Sequence, residues 1–427
     1  LPLPGSGRKS RAGTPSMTRP VIALLGRKDV PTDAVEEYCR YLGEALQPHD
    51  FQMQIRRVPW ELHGWRQSLH ALRLQAVAWR DTWVLVQYTA LAWSARGFPL
   101  KFPRVLRLLK SAGARVAVVF HDVEPFSSPR LIDRLRHRVQ RRTMRRAIEL
   151  ADLAIFTVPL HKLSWLPFIP TDAVYTDPTA LADQKLSPKT IGAGKRIISP
   201  EPLLKLKAGN LAADKPSPLL QRSHFIPVGS NLPIPAQWQL PRHPNEIPII
   251  GVFSITGGNQ GAIETQRILA AVQHATKSAG KLRLSVFGRH AELRQETLRK
   301  GLENYPVELS VDGVVEDAKI IERIRGCDVL LFIRGGISTR RSSAIAGISC
   351  AVPMVAFVGP ETSWPFMDAG VILVSPADPQ ELNDALVRLL ANPDLRAGLS
   401  RVNQLIYSEH FAWPVIASRY AALLNSL

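Results

Sequence analysis

The chain is poor in cysteine, in acid and in long apolar runs, and each shortage removes a class of protein. Its three cysteines, Cys39, Cys327 and Cys350, are an odd number without CxxC spacing. They build neither a disulfide framework nor a zinc site, and this usage suits a reducing compartment, so a cytoplasmic location is expected. No apolar stretch approaches the ~18 residues that crossing a bilayer needs; the most apolar ones, 116–120 and 329–333, have the length of strands. No DxD, HxxxH or carboxylate cluster is present, and no metal is expected. Internal repeats are absent as well.

What the chain does contain is ordinary for a folded protein: 45% hydrophobic and 21% charged residues over 427 positions, with a mean hydropathy of -0.02. That length exceeds what one core organises, and two domains of about 200 residues are expected. The opening LPLPGSGRKSRAGTPS has no apolar centre and precedes Met17, so residues 1–16 are read as a tag or disordered tail. The shortage of acid leaves 54 Lys and Arg against 36 Asp and Glu, a formal charge of +18 at pH 7. Such a surplus draws phosphate-bearing partners. Part of it is concentrated in residues 128–151, where Arg130, Arg134, Arg136, Arg138, Arg141, Arg142, Arg145 and Arg146 accompany Leu131, Leu135, Val139 and Ile148 at near-helical spacing. This predicts a basic amphipathic helix. Its charged face is either solvated or applied to an anionic membrane surface, which would place the protein peripherally at the inner face of the membrane. Nucleic acid is not expected, because no recognition motif or aromatic interleaving accompanies the arginines.

Short β-branched runs alternate with helical patterns, which indicates βαβ units and parallel sheets. Strands are expected at 21–25, 52–58, 82–88, 115–120 and 153–157, with helices at 33–46, 103–112 and over the arginine-rich stretch. The pattern blurs beyond residue 170, with a loop and short helix at 200–215, and proline concentrates in a linker at 236–246. It then restarts with strands at 247–253, 282–287, 307–311, 328–333 and 353–358, and helices at 262–274, 291–301, 317–325, 379–391, 393–410 and 413–426. The fold class is α/β, with two Rossmann-like domains at 17–235 and 247–410 and a last helix in 411–427 packing back toward the first. Ligands of such sheets sit beyond the carboxyl ends of the strands, so 26–32, 87–88 and 121–124 should line one edge.

The segment 330–357, LLFIRGGISTRRSSAIAGISCAVPMVAF, carries the most chemistry. A buried strand ends in Gly335 and Gly336, and then Ser338, Thr339, Arg340, Arg341 and Ser342 open a helix. Glycines let backbone amides approach a ligand, a helix start offers unpaired donors, and arginines hold phosphate oxygens in pairs. The same glycines and serines also suit a tight turn and an N-cap. His121 and Asp122 follow a buried strand, where a histidine is either a structural hydrogen-bonding residue or a functional one. In the first loop Thr32 or Asp33 caps the next helix, or Asp29 and Thr32 meet a substrate.

The order of strand, glycine turn, helix and CAVPMVA (350–356) resembles the donor region of retaining GT-B glycosyltransferases, notably family 4. GCDVLLFI (326–333), FIPVGSN (225–231), DAVEEYCRYLGEAL (33–46) and FHDVEP (120–125) extend the likeness over nearly all of 17–427. The resemblance implies two Rossmann-like domains facing across a cleft, acceptor side first and donor side second. The implied reaction is retaining transfer of a hexose from a nucleoside diphosphate sugar to a saccharide or lipid-linked acceptor, as in bacterial polysaccharide or glycolipid synthesis. It implies no cofactor beyond the donor substrate. His121 and Asp122 would hold the transferred sugar and acceptor, with Asp29, Thr32 and Glu124 on the acceptor side. The family's two donor glutamates fall on Ser338 and Ala346, and its Gly-Arg and Lys are replaced by SITGGNQG (254–261). Gly257 and Gly258 remain to cradle the donor, and Arg289, Arg334, Arg340 and Arg341 are the substitute cations. Trp364 and Phe366 are candidates to flank the base. The missing glutamates also admit a degenerate protein that binds a sugar nucleotide or a partner without turnover, and the fold admits a nucleotide-sugar epimerase.

Overall fold

A computed structural model of the chain describes residues 18–29, 33–166, 218–232 and 245–426. The expectations for residues 1–16, Thr32, the 200–215 loop and most of the 236–246 linker lie outside the described residues.

Buried β-branched runs form two six-stranded parallel sheets. The first contains β1 (Arg19–Leu25), β2 (Phe51–Arg57), β3 (Trp83–Tyr88), β4 (Arg115–Phe120), β5 (Leu153–Phe156) and β6 (Ser223–Phe225), in the order β2-β1-β3-β4-β5-β6. The second contains β7 (Ile249–Phe253), β8 (Leu282–Phe287), β9 (Val307–Asp312), β10 (Val329–Phe332), β11 (Met354–Phe357) and β12 (Val371–Val374), in the order β12-β11-β10-β7-β8-β9. Strands such as VLLF are buried along their whole length because helices cover both faces.

Helices of the first half are α1 (Ala34–Leu46), α2 (Trp60–Ala76), α3 (Phe102–Ser111), α4 (Leu131–Leu150) and α5 (Pro218–Gln221). Those of the second are α6 (Gly258–Ala279), α7 (Gln295–Leu302), α8 (Asp317–Gly326), α9 (Ser342–Ser349), α10 (Pro379–Ala391), α11 (Pro393–Ile406) and α12 (Trp413–Asn425). The one-turn α5, α2 and β12 have no counterpart in the sequence reading. α2 is kinked at Gly64, whose φ of 71° is not helical, and that break hides its period; β12 is a four-residue edge strand. The expected helix over 393–410 ends at Ile406 and widens into a turn over Tyr407–Phe411.

Each sheet has one point where successive crossovers leave in opposite directions, between β1 and β3 in the first and between β7 and β10 in the second. Loops diverge there and leave a crevice at the carboxyl edge. The two halves are tied directly. Val228 N donates to the Thr339 carbonyl at 3.1 Å, and Thr339 Oγ1 donates to the Thr157 carbonyl at 2.6 Å. α12 lies on α1: the Tyr38 and Tyr420 hydroxyls are 2.8 Å apart, Trp83 Nε1 donates to the Leu424 carbonyl at 3.0 Å, and Trp413 stacks on Tyr41 while donating to the Ser230 carbonyl at 2.8 Å. One buried cluster runs through Leu42, Tyr420 and Ile345, so the domains share part of a core.

Candidate functional site

On the first sheet the loop after β1 meets the loop after β3. A Cβ on Gly26 would lie 2.2 Å from the Ala92 carbonyl oxygen, and the Arg27 amide donates to that oxygen at 2.8 Å. Only glycine permits this approach. Asp33 is the cap of α1, accepting from the amides of Val35 and Glu36 at 3.1 Å each and from Asp29 N at 3.2 Å. Arg57 braces it, binding Asp33 and Glu36 at 2.7 Å and the Gly26 carbonyl at 3.1 Å. The result is a rigid cleft of about 210 Å³ lined by Gly26, Asp29, Asp33, Gln87, Leu91 and Asp122.

His121 stands at the end of β4, its ring edge-on to Tyr38 at 5.0 Å. Gln87 Nε2 donates to the Leu85 carbonyl at 3.2 Å, which leaves Gln87 Oε1 as the acceptor 2.8 Å from His121 Nε2. That assignment puts the proton on Nε2 and leaves Nδ1 as the ring's acceptor. Burial, then the charge of Arg340, push the imidazole down to about 4, with Asp33 opposing. His121 is therefore neutral at pH 7. A folded-state value below the ordinary 6.5 means that the unfolded chain takes up a proton which the folded chain refuses. The stability this group contributes is complete above pH 6.5 and is lost as pH falls toward 4. Thermal midpoints followed over that window should fall less steeply in His121→Asn than in the parent; parallel curves would show that His121 is not held neutral.

Asp122 and Glu124 have structural partners. Asp122 Oδ2 accepts from the Ala90 amide at 2.7 Å, and burial raises its carboxyl despite that bond and Arg340. Glu124 accepts from the Ser164 amide at 2.6 Å and its hydroxyl at 2.7 Å. Both anchor loops at the carboxyl edge of the sheet.

On the second sheet, Gly257 precedes α6, which starts without a side-chain cap, and Gly258 has a φ of 65°. The Thr256 amide is held by Glu264 Oε2 at 2.8 Å. Beyond β10, Gly335 has a φ of 72°, and a Cβ on Gly336 would lie 2.5 Å from Gly359 Cα. Gly336 thus lets this loop press on the loop after β11. Thr362 locks the two, its Oγ1 donating to the Ile337 carbonyl at 2.6 Å and accepting from the Gly359 amide at 2.8 Å.

The four substitute cations separate here. Arg340 is fully engaged: Nε and Nη2 reach the two oxygens of Glu361 at 2.7 and 3.0 Å. Burial opposes the charge of both partners, but the pairing wins, raising Arg340 and lowering Glu361 from their ordinary values. Arg334 and Arg341 form no ion pair among the described residues, and each Nε is buried without a hydrogen-bond partner. Desolvation and then the neighbouring charge of Arg340 push Arg341 down to about 10, with Glu361 and Glu264 opposing; burial lowers Arg334, with Glu264 opposing and Arg289 adding to the fall. Arg289 also approaches Asp29 of the first domain, 3.9 Å across the cleft. Ser338 and Thr339 are buried, and the Thr339 hydroxyl is committed to Thr157. Ser342 opens α9, which has no side-chain cap. Trp364 packs edge-on against His410 at 4.4 Å, and Phe366 is wholly buried beside Phe411.

Two carboxylates of this site, Glu361 and Glu264, were not among the sequence-derived candidates. Glu361 lies in the same GPETSWPF segment that drew attention to Trp364, and Glu264 is on α6 behind the glycine turn. Only the folded chain brings either beside the arginines.

No protein-family model matches the chain, and no curated protein matches it by sequence. Solved structures do. Anabaena Alr3699/HepE in complex with UDP and glucose is 13% identical, with a TM-score of 0.55 over 96% of this chain and 100% of that one. A glycosyltransferase from Rickettsia africae is 11% identical, with a TM-score of 0.58 over 96% and 98%. The fold is GT-B. The same GT-B architecture is matched in a putative UDP-N-acetylglucosamine 2-epimerase from Listeria monocytogenes, 11% identical with a TM-score of 0.51 over 95% and 96%. Shared architecture at these identities does not select a reaction; the side chains must do that. A specific assignment to family 4 has no support beyond the motifs themselves.

Proposed function

We propose that the protein is a glycosyltransferase that moves a sugar from a nucleoside diphosphate sugar to a saccharide or lipid-linked acceptor, in polysaccharide or glycolipid synthesis. The observation that carries this reading is the pair Arg334 and Arg341, two desolvated guanidiniums at the switch point of the second sheet that form no ion pair among the described residues, with Glu264 and Glu361 acting on them only through space. Nature rarely retains buried cations that repel one another unless an anion joins them. A diphosphate fits: its oxygens accept from both guanidiniums, while the uncapped starts of α6 and α9, at Gly257, Gly258 and Ser342, add backbone donors. In this reading 247–410 is the donor side and 17–235 the acceptor side.

Transfer breaks the bond between the anomeric carbon and the diphosphate and forms one to the acceptor oxygen, whose proton passes to the departing phosphate. Negative charge grows on the leaving group, and Arg334 and Arg341 stabilise it most when it is fully developed. Neutral His121 offers a hydrogen-bonding ring at the sugar and acts as a positioning group. The retaining outcome belongs to this proposal.

The engagement of Asp122, Glu124 and Glu361 with loop and arginine partners favours a second reading, binding of a sugar nucleotide without turnover. One experiment separates them. The protein is incubated with UDP- and GDP-sugars and candidate acceptors, and diphosphate release, product anomer and calorimetric binding are measured. Release coupled to glycoside formation is the expected result. Tight diphosphate binding with no transfer to any acceptor selects the second reading, and epimerised donor selects the epimerase.

A further inference from the structure

Helix α4 sits with part of its apolar pattern facing out. Leu131 and Leu135 are 81% and 51% exposed, and Ile132 and Phe126 are each 51% exposed beside them. The packed face is polar at its start, with Asp133, Gln140 and Thr143 buried before Met144, Ala147 and Ile148. Polar contacts hold this orientation. Arg136 pairs with Asp133, donates to the Arg96 carbonyl at 3.0 Å and lies 5.4 Å from the rings of both Phe98 and Phe126. Gln140 donates to the Gly97 carbonyl at 2.9 Å and accepts from the Phe126 amide at 2.7 Å. The outward stripe then reads Leu131, Arg134, Leu135, Arg138 and Arg142, all exposed; each lies three or four residues from another of them, so they share one face. Arg134, Arg138 and Arg142 form no ion pair among the described residues.

Exposed leucines at one end of a face and arginines along the rest suit an interface that is apolar beneath and anionic above. We propose that this face docks on an anionic lipid bilayer, with Phe126, Leu131, Ile132 and Leu135 at the acyl boundary and the arginines on lipid phosphates. Contact is peripheral, since no described helix is long and apolar enough to cross a membrane. α4 follows β4, whose end carries His121, and its first turns are tied to residues 96–98 beyond β3. The bilayer therefore meets the first-domain side of the cleft, where Leu91 is exposed. Delivery of a lipid-linked acceptor to that mouth rests on the function proposed above; the docking does not.

The test is co-sedimentation of the full chain with vesicles of phosphatidylcholine alone or mixed with phosphatidylglycerol, at low and high salt. Binding to the mixed vesicles only, reduced by salt, is expected. Leu131→Ser/Ile132→Ser/Leu135→Ser should weaken it about tenfold or more, and Arg134→Ala/Arg138→Ala/Arg142→Ala should weaken it comparably and flatten the salt dependence. Both variants should keep the parent's thermal midpoint and its activity on a water-soluble acceptor. Absence of vesicle binding overturns the docking, and so does binding that neither variant changes. If vesicles are ignored while the leucine variant alters the oligomeric state by light scattering, the face belongs to a second copy. Loss of transfer with intact vesicle binding would bear on the proposed reaction alone.

Discussion

Replacing Arg334 and Arg341 together with alanine is expected to weaken nucleoside diphosphate binding by about 100-fold or more, because hydrogen bonds to charged groups contribute roughly 1.5–3 kcal/mol each. The same change should leave the thermal midpoint level or slightly raised. In the folded chain both guanidiniums are desolvated, each feels a neighbouring arginine, and neither forms an ion pair among the described residues, so their removal relieves desolvation and repulsion and gives up only the through-space attraction of Glu264 and Glu361. Titration calorimetry with UDP and GDP, beside a thermal melt, checks both halves of the expectation. Unchanged affinity would remove the phosphate role from this pair.

Arg340→Ala should show the opposite pattern. It strips the bidentate partner from Glu361, whose side chain is 17% exposed, and uncompensated buried charges cost about 3 kcal/mol or more. For a domain of this size that corresponds to a fall in thermal midpoint of roughly 6–12 °C. Arg340→Ala/Glu361→Ala should recover much of the loss, and a double-mutant cycle reads the coupling directly. The sign with pH follows from Glu361, whose carboxyl is held below its ordinary 4.5 by Arg340 against the effect of burial. The stability from this pair is present above pH 4.5 and is lost as pH falls through the lower folded-state value. A melt of Arg340→Ala equal to that of the parent would show that the pair contributes nothing. On the proposed function the two adjacent arginines of one motif separate into a ligand-facing and a structural residue, and the two variants separate them experimentally.

Most elements of both sheets were legible in the sequence because their signals are local. VAVVF and VLLF are buried along their whole length, and the apolar runs that contain them end within a residue of the strand ends. The cap of α1 was narrowed to Thr32 or Asp33, and Asp33 fills it with two amide bonds. α2 was not legible, since Gly64 interrupts its helical period. The direction in which Leu131 and Leu135 face was not legible for a related reason: helical spacing groups them but does not say which way the group points. Arg136, Asp133 and Gln140 decide that by bonding to residues 96–98 and 126.

The sequence by itself determined the alternation of strands and helices, the chain's basic excess and a glycine-and-arginine loop after a buried strand. These depend on residues near one another along the chain, where propensity and periodicity act. Only the tertiary structure decided which arginine is paired among the described residues. Arg340 and Arg341 are neighbours with the same chemistry, and what separates them is the bidentate pairing of Arg340 with Glu361, twenty-one residues on, in the loop that meets Gly336 at Gly359. Charge pairing acts through space, over a few ångströms that no spacing along the chain encodes.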